Sequence, residues 1–159
     1  MIQIKNWRTG AVIFEGDYPN IKAAVEAAVK AGVSLAYADL AYADLTGANL
    51  RGANFTGAKL TGAILTDADL TGANLTGANF TGANLRWAIL IGANFRGANL
   101  IGAILIDADL TDAILYNADL TGANLTRASL RWANLTGTIL TDADLTDAIV
   151  TGTILDTKD

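Results

Sequence analysis

Hydrophobic residues recur every five positions along most of this chain. From residue 33 onward the sequence follows the pattern A-[D/N]-L-x-x, with Leu or Phe at almost every position divisible by five from Leu35 to Leu155. On an α-helix, which turns by about 100° per residue, successive Leu side chains would lie about 140° apart. On an unbroken strand they would point alternately to opposite faces. The period therefore excludes both an amphipathic helix and a flat, half-buried sheet.

A chain that extends for two or three residues and then bends, once per repeat, accounts for this period. The Leu and the small residue two positions before it, nearly always Ala, share a strand face, so both can point inward. Repeated bends make a coil, and coils stacked about 4.8 Å apart can exchange backbone hydrogen bonds. Gly two positions after the Leu, as at Gly47 and Gly72, suits a corner because it tolerates unusual backbone angles. The pattern predicts a parallel β-coil over residues 33–157.

Residues 1–32 follow a different pattern, which predicts a β-hairpin and a helix. Apolar residues alternate at 2–4, a turn follows at 8–10, and a second apolar run covers 12–14. A helix with one apolar stripe then ends at Gly32, a residue that favours a left-handed helix stop. We expect this region to cap the first coil and to prevent edge-to-edge association. Three charged helix residues are predicted to form a solvated salt-bridge row: Lys22, Glu26 and Lys30.

The repeat resembles that of the pentapeptide repeat protein family, over about twenty-five consecutive copies. The resemblance implies an all-β fold: a right-handed quadrilateral parallel β-helix with four repeats per coil and about six coils, preceded by the small hairpin and helix cap. Members of the family often form dimers through their C-terminal end. Some protect DNA topoisomerase from quinolones and are described as resembling B-form DNA in shape and charge.

Composition narrows the functions that this chain can have. The chain contains neither Cys nor His, which removes nucleophile–His dyads and triads and the Cys/His metal sites. We therefore expect no enzyme activity, no cofactor and no metal. The net charge of −5 argues against direct nucleic-acid binding. Since the sequence shows neither a membrane-spanning run nor a signal peptide, we expect a cytoplasmic protein without membrane contact.

Apolar residues at outward positions predict a surface that binds another protein. Ile, Trp and Tyr replace the usual polar residues most densely in the predicted fourth and fifth coils. The alternative is that β-branched residues simply suit a strand surface. The candidate partner surface comprises Trp87, Ile89, Ile91, Ile101, Ile104, Ile106, Ile114, Tyr116 and Trp132.

Carboxylates recur at or beside the predicted corners: Asp67, Asp69, Asp107, Asp109, Asp112, Asp142, Asp144 and Asp147. A dense negative field on a long rod would allow the protein to mimic DNA and bind a type II topoisomerase such as gyrase, or another DNA-handling enzyme. The register also stacks Asp107, Arg127 and Asp147 in one column, where a neutralising salt-bridge ladder is the alternative.

Two further features concern the end of the repeats and the threonines. An apolar set near residue 155 predicts a symmetric homodimer through the last coils: Ile149, Val150, Ile154 and Leu155. Thr is frequent after the Leu, and flat Thr arrays can bind ice, but Arg or Ile interrupts each column.

The sequence thus predicts a non-catalytic protein-interaction rod, with the DNA mimic as the alternative, and it does not identify the partner.

Overall fold

The computed structural model describes residues 1–155 and begins with three regular elements. These are strand β1 (Ile2–Lys5), strand β2 (Val12–Gly16) and helix α1 (Ile21–Lys30). The two strands pair antiparallel, and the chain after α1 winds through turns joined by isolated β-bridges. Residues 156 and 157 of the predicted repeat region lie outside the described residues.

Helix α1 is bounded by local signals at both ends. At its start the side chain of Asn20 accepts a hydrogen bond from the Ala23 N–H at 2.9 Å, which satisfies a donor that has no partner within the helix. After its end Gly32 has a φ of 69°, and the N–H of Val33 donates to the carbonyl of Ala28 at 2.9 Å. The inner face of α1 joins the core that continues into the coil.

The N-terminal elements lie against the first coils through backbone contacts. The N–H of Asp39 donates to the Lys5 carbonyl at 2.8 Å, which continues the pairing of β1 into the coil. The prediction of a solvated salt-bridge row is wrong for Glu26, whose carboxylate accepts from the Asn49 N–H at 2.8 Å. In later coils the N–H of the equivalent residue donates to a carbonyl of the preceding coil. The carbonyl at the equivalent position before Asn49 is that of Ala28 in α1, which already accepts from the Val33 N–H. Glu26 supplies the acceptor instead.

Each parallel bridge in the coil joins residues that are twenty positions apart, such as Asn54 with Asn74 and Ser129 with Ile149. Four pentapeptides therefore make one coil with four sides. A bridge residue and the Leu after it bond to the coils on both sides. The N–H of Ile89 donates to the Ala68 carbonyl of the preceding coil at 2.9 Å, and the N–H of Leu90 donates to the Asp109 carbonyl of the next coil at 2.7 Å. This ladder satisfies the backbone without long strands.

The interior of the coil is filled by the inward Ala and Leu or Phe side chains, all buried from Leu35 to Leu135. No polar or charged side chain is buried among residues 1–155. The rings of Phe80 and Phe95 lie on adjacent sides and meet in the interior, with their centroids 5.7 Å apart. From Leu140 onward the inward side chains are only half-buried.

Where the residue before the Leu is Asp or Asn, its side chain stabilises the turn. The Oδ1 of Asn74 accepts from both the N–H and the hydroxyl of Thr76, at 3.1 and 2.7 Å, and Asp69 bonds to Thr71 in the same way. This is an Asx turn, in which a side-chain oxygen replaces a backbone acceptor. Asp and Asn are therefore interchangeable at this position as far as the fold is concerned.

We expect Leu90→Ala to lower the free energy of unfolding by about 2–5 kcal/mol, because the change leaves a cavity in a fully packed interior. Leu145→Ala is the matched control, since Leu145 occupies an inward position that is only half-buried. Urea unfolding followed by circular dichroism measures both. Equal losses of unfolding free energy in Leu90→Ala and Leu145→Ala would contradict a core that is packed more tightly in the middle coils than in the last described coil.

Candidate functional site

One corner of the coil carries large side chains where the other corners carry mostly Gly. Successive coils place Asp67, Trp87, Asp107, Arg127 and Asp147 in one column, here called the Trp87 column. All five have φ between 55° and 59°, the left-handed region in which a Cβ costs energy and which Asp tolerates better than Trp or Arg. A conformational cost that the fold does not require is a pointer to function.

Polar contacts join the middle of the Trp87 column. The Nε and Nη2 groups of Arg127 donate to the two carboxylate oxygens of Asp107 at 2.7 and 2.6 Å. This bidentate pair holds the pKa of Asp107 below its ordinary value, and a hydrogen bond from Trp87 and the charge of Arg86 act in the same direction. The same hydrogen bonds raise the pKa of Arg127, and the charge of Asp147 adds to the effect. Of the predicted ladder, the column contains the Asp107–Arg127 ion pair, and Asp147 acts on Arg127 only through its charge.

Four isoleucines lie on the two sides that meet at the Trp87 corner, in the same coil or the next one. Ile89 and Ile91 follow it on one side of the corner, and Ile104 and Ile106 lie in the next coil. The N–H of Trp87 donates to the Ile106 carbonyl at 3.1 Å, which places the two residues next to each other. Trp87 is 53% exposed and Ile89 39%, whereas Ile104 and Ile106 are half-buried. We call these five residues the Trp87 patch.

The remaining four residues of the predicted partner surface lie elsewhere. Ile101 stands before the preceding corner, and Ile114 lies on another side, bridged to Asn94 and Asn134. The other two make contacts within the molecule: the Arg96 guanidinium lies 5.1 Å from the centre of the Tyr116 ring, and the Trp132 ring occupies the space that a Cβ at Gly152 would need. The register therefore assigns five of the nine predicted residues to the two sides that meet at the Trp87 corner, within two successive coils.

The eight predicted acidic residues divide into two kinds. Asp69, Asp109 and Asp144 stand before a Leu and form Asx turns; the Thr146 hydroxyl, for example, lowers the pKa of Asp144. Asp69 also forms an ion pair with Arg51 at 2.8 Å. The other five occupy corners with φ between 56° and 59°, and all of them except the half-buried Asp107 are exposed: Asp67, Asp107, Asp112, Asp142 and Asp147.

The predicted dimer residues lie in the last described coil. Ile149 and Ile154 are 38% and 69% exposed, and Val150 and Leu155 pack partly buried against the core. Within residues 1–155, no group of three or more acidic side chains is arranged to hold a metal ion. No helix in that range has the length and apolar character needed to cross a membrane.

Sequence reasoning placed Asp107, Arg127 and Asp147 in one column, but it missed the left-handed backbone of large residues such as Trp87 there and a cleft beside Trp7. The unusual corner residues could have been found from the sequence, because the corner position is Gly in most repeats and Trp87 and Arg127 are exceptions. The cleft had no such signal, because Trp7 lies 50 residues from Gly57, to which its indole binds.

Comparisons with known proteins agree on the repeats. The sequence model of pentapeptide repeats matches in eight copies, over residues 31–67, 68–105, 78–117, 103–142 and 113–156. Among solved structures, Rfr23 from the cyanobacterium Cyanothece 51142 is 38% identical, covering 72% of this chain and 65% of its own, with a TM-score of 0.41. A pentapeptide repeat protein from Nostoc PCC 7120 is 32% identical, covering 70% and 83%, with a TM-score of 0.44.

The plasmid-mediated fluoroquinolone resistance protein QnrB1 is 19% identical, covering 72% of this chain and 69% of its own, with a TM-score of 0.47. No curated protein matches this chain significantly in sequence.

We expect Arg127→Met to raise the pKa of Asp107 toward the ordinary aspartate value of about 3.9. Because the folded-state pKa of Asp107 is depressed, the stability that it contributes is present above its unfolded pKa and is lost as the pH falls through its folded pKa. The stability difference between wild type and Arg127→Met should therefore shrink below about pH 4. Urea unfolding over a pH series and a carboxyl NMR titration of Asp107 measure this.

Arg131→Met is the matched control, since it removes the same charge from an exposed position outside the column. If both variants show the same pH dependence, the Asp107–Arg127 pair is not its source.

Proposed function

Because this chain belongs to the pentapeptide repeat family, whose members are generally structural or interaction modules, we propose that it is a non-catalytic protein-interaction module. In this proposal the repeats form a right-handed quadrilateral rod of about six coils, residues 1–32 cap its first coil, and the Trp87 patch binds another protein. The rod serves to hold that patch in a rigid arrangement.

The observation that carries the proposal is an exposed Trp at a left-handed corner. The isoleucines can be explained because β-branched residues suit a strand surface. Trp87 cannot be explained in this way, because it stands at a left-handed corner where Gly has the lowest conformational energy. A rigid aromatic side chain beside aliphatic ones, with charged residues at the margin, is also the usual composition of an interface centre. The Trp87 side chain also interacts with the Asp107 carboxylate, whose pKa it helps to lower.

A DNA mimic that acts on a type II topoisomerase is the second candidate. Four exposed corner carboxylates favour it: Asp67, Asp112, Asp142 and Asp147. The ion pairs of Arg127 with Asp107 and of Arg51 with Asp69 reduce the negative field that such mimicry needs. Asp is also the residue that best replaces Gly at a left-handed corner, so the fold alone accounts for some of these carboxylates. We therefore rank this candidate second.

We expect a combined variant, Trp87→Gly with Ile89→Asp and Ile104→Asn, to lose its partner while keeping its fold. Each change restores the residue type that neighbouring repeats carry: Ile89 is bridged to Asp69 and Asp109, and Ile104 to Asn84 and Asn124. Ile114→Asn is the matched control outside the patch. The immobilised full chain is incubated with an extract of its source cells, and retained proteins are identified by mass spectrometry, purified and titrated against each variant.

A partner that binds wild type and Ile114→Asn, fails to bind the combined variant and tolerates added salt supports the proposal. The DNA-mimic candidate predicts a different result, which is inhibition of gyrase supercoiling by the purified protein. That inhibition should weaken with salt and with Asp→Asn changes at residues 67, 112, 142 and 147. Inhibition of this kind, unchanged in the combined variant, would overturn the assignment of the Trp87 patch.

A second interaction in this proposal is a homodimer through the last coil. Its support is the half-exposed set of inward residues Leu140, Leu145, Val150 and Leu155, beside the exposed Ile154. Burying these side chains against a second copy would complete the core in the way that each coil completes the one before it.

We expect wild type to sediment as a dimer at tens of micromolar and Ile154→Asp to sediment as a monomer, because the charge would be buried without a partner. Ile139→Asp is the matched control, since Ile139 is 48% exposed and is bridged to Asp119 in the coil before. A wild-type monomer under these conditions would rule out the dimer.

A further inference from the structure

A cleft of about 300 Å³ lies where the turn after β1 meets the coil. Its lining consists of Trp7, Gly57, Ala58, Lys59, Gly77 and Asn79. The indole Nε1–H of Trp7 donates to the Gly57 carbonyl at 2.8 Å, and the Tyr37 ring packs edge-on at 6.5 Å. The Arg8 guanidinium lies over both rings. Trp7 is thus held in one orientation although 48% of its surface is exposed.

The polar groups of the cleft offer both donors and an acceptor. The Oδ1 of Asn79 accepts from the N–H and the hydroxyl of Thr81, at 2.9 and 2.7 Å, so the amide N–H groups of Asn79 are the part left to face a ligand. Beside it, Lys59 Nζ lies 4.0 Å from a carboxylate oxygen of Asp39, and both side chains are close to half exposed. Lys59 is the only charged residue in this lining, and the neighbouring Asp39 offsets its charge.

We infer that this cleft binds a pyranose ring of a neutral saccharide. The C–H face of the sugar would lie on the indole of Trp7, and its hydroxyl groups, which both donate and accept, would bond to the Asn79 amide, the Lys59 ammonium and the Asp39 carboxylate. An anionic ligand would have to displace Asp39 from Lys59 or reach Arg8, which does not line the cleft. A purely apolar ligand would cover Lys59 and Asn79 without giving them partners.

The corner below the cleft leaves room for a longer chain. A Cβ at Gly77 or Gly97, in the next two coils of the same corner, would meet no other atom within 4 Å. Nothing overhangs this part of the surface, so further sugar rings can continue along the rod axis. An oligosaccharide should therefore bind more tightly than a monosaccharide. This site does not depend on the Trp87 patch, which lies at a different corner.

Isothermal titration of the full chain with cellohexaose, maltohexaose and chitohexaose tests the site. We expect at least one of these to bind, and Asn79→Asp to weaken that binding about fivefold to tenfold, because it removes the amide donors. Asp forms the same turn at Asp69, so the fold should be kept. Asn124→Asp is the matched control, since Asn124 forms the same turn with Thr126, lies on another side of the coil and is outside the cleft.

Tryptophan substitutions supply a second comparison. Trp7→Ala should abolish the binding, whereas Trp87→Phe should leave it unchanged, with circular dichroism confirming that both variants are folded. The inference is overturned if no hexasaccharide binds wild type at millimolar concentration, or if Asn79→Asp and Asn124→Asp bind equally well. Binding of hexagalacturonate alone would overturn the neutral-sugar assignment and indicate an anion site at Lys59.

Discussion

The structure depends on the hydrogen bonds between residues that lie twenty positions apart. They satisfy the backbone of every side of the coil, and they stack each inward Ala and Leu on its equivalent in the next coil. Because the packing of each coil is completed by its neighbours, an end is a weak point. At the first end Glu26 and the inner face of α1 supply the missing partners, while the inward residues of the last described coil remain half-exposed.

The same register decides which outward side chains meet. Asp107 and Arg127 are distant in sequence and form a bidentate pair because they occupy one column. Large corner side chains can also contact the next coil in the same column. The rings of Tyr37 and Trp132 each occupy the space beside a Gly of the next coil, and these contacts fasten coils near the two ends of the described rod. Trp132 is therefore at least partly structural, despite its exposure.

A single backbone conformation at the corners links the fold to its surface chemistry. Every corner requires a positive φ, which favours Gly and then Asn or Asp. Acidic corners are thus partly a consequence of the backbone, which weakens the argument from carboxylates to DNA mimicry. Trp87 has no such explanation, and this difference separates the two candidate functions.

The five-residue period by itself determined the inward residues, the corner positions and the stacking of coils, since no other arrangement buries every Leu. It also placed the five residues of the Trp87 patch within two successive coils. Only the tertiary structure decided that Ile101, Ile114, Tyr116 and Trp132 lie apart from it, and that Glu26 bonds to Asn49. The cleft at Trp7 likewise joins segments distant in sequence. The repeat pattern carries no information about how a non-repeating segment lies against it, and that placement depends on three-dimensional packing.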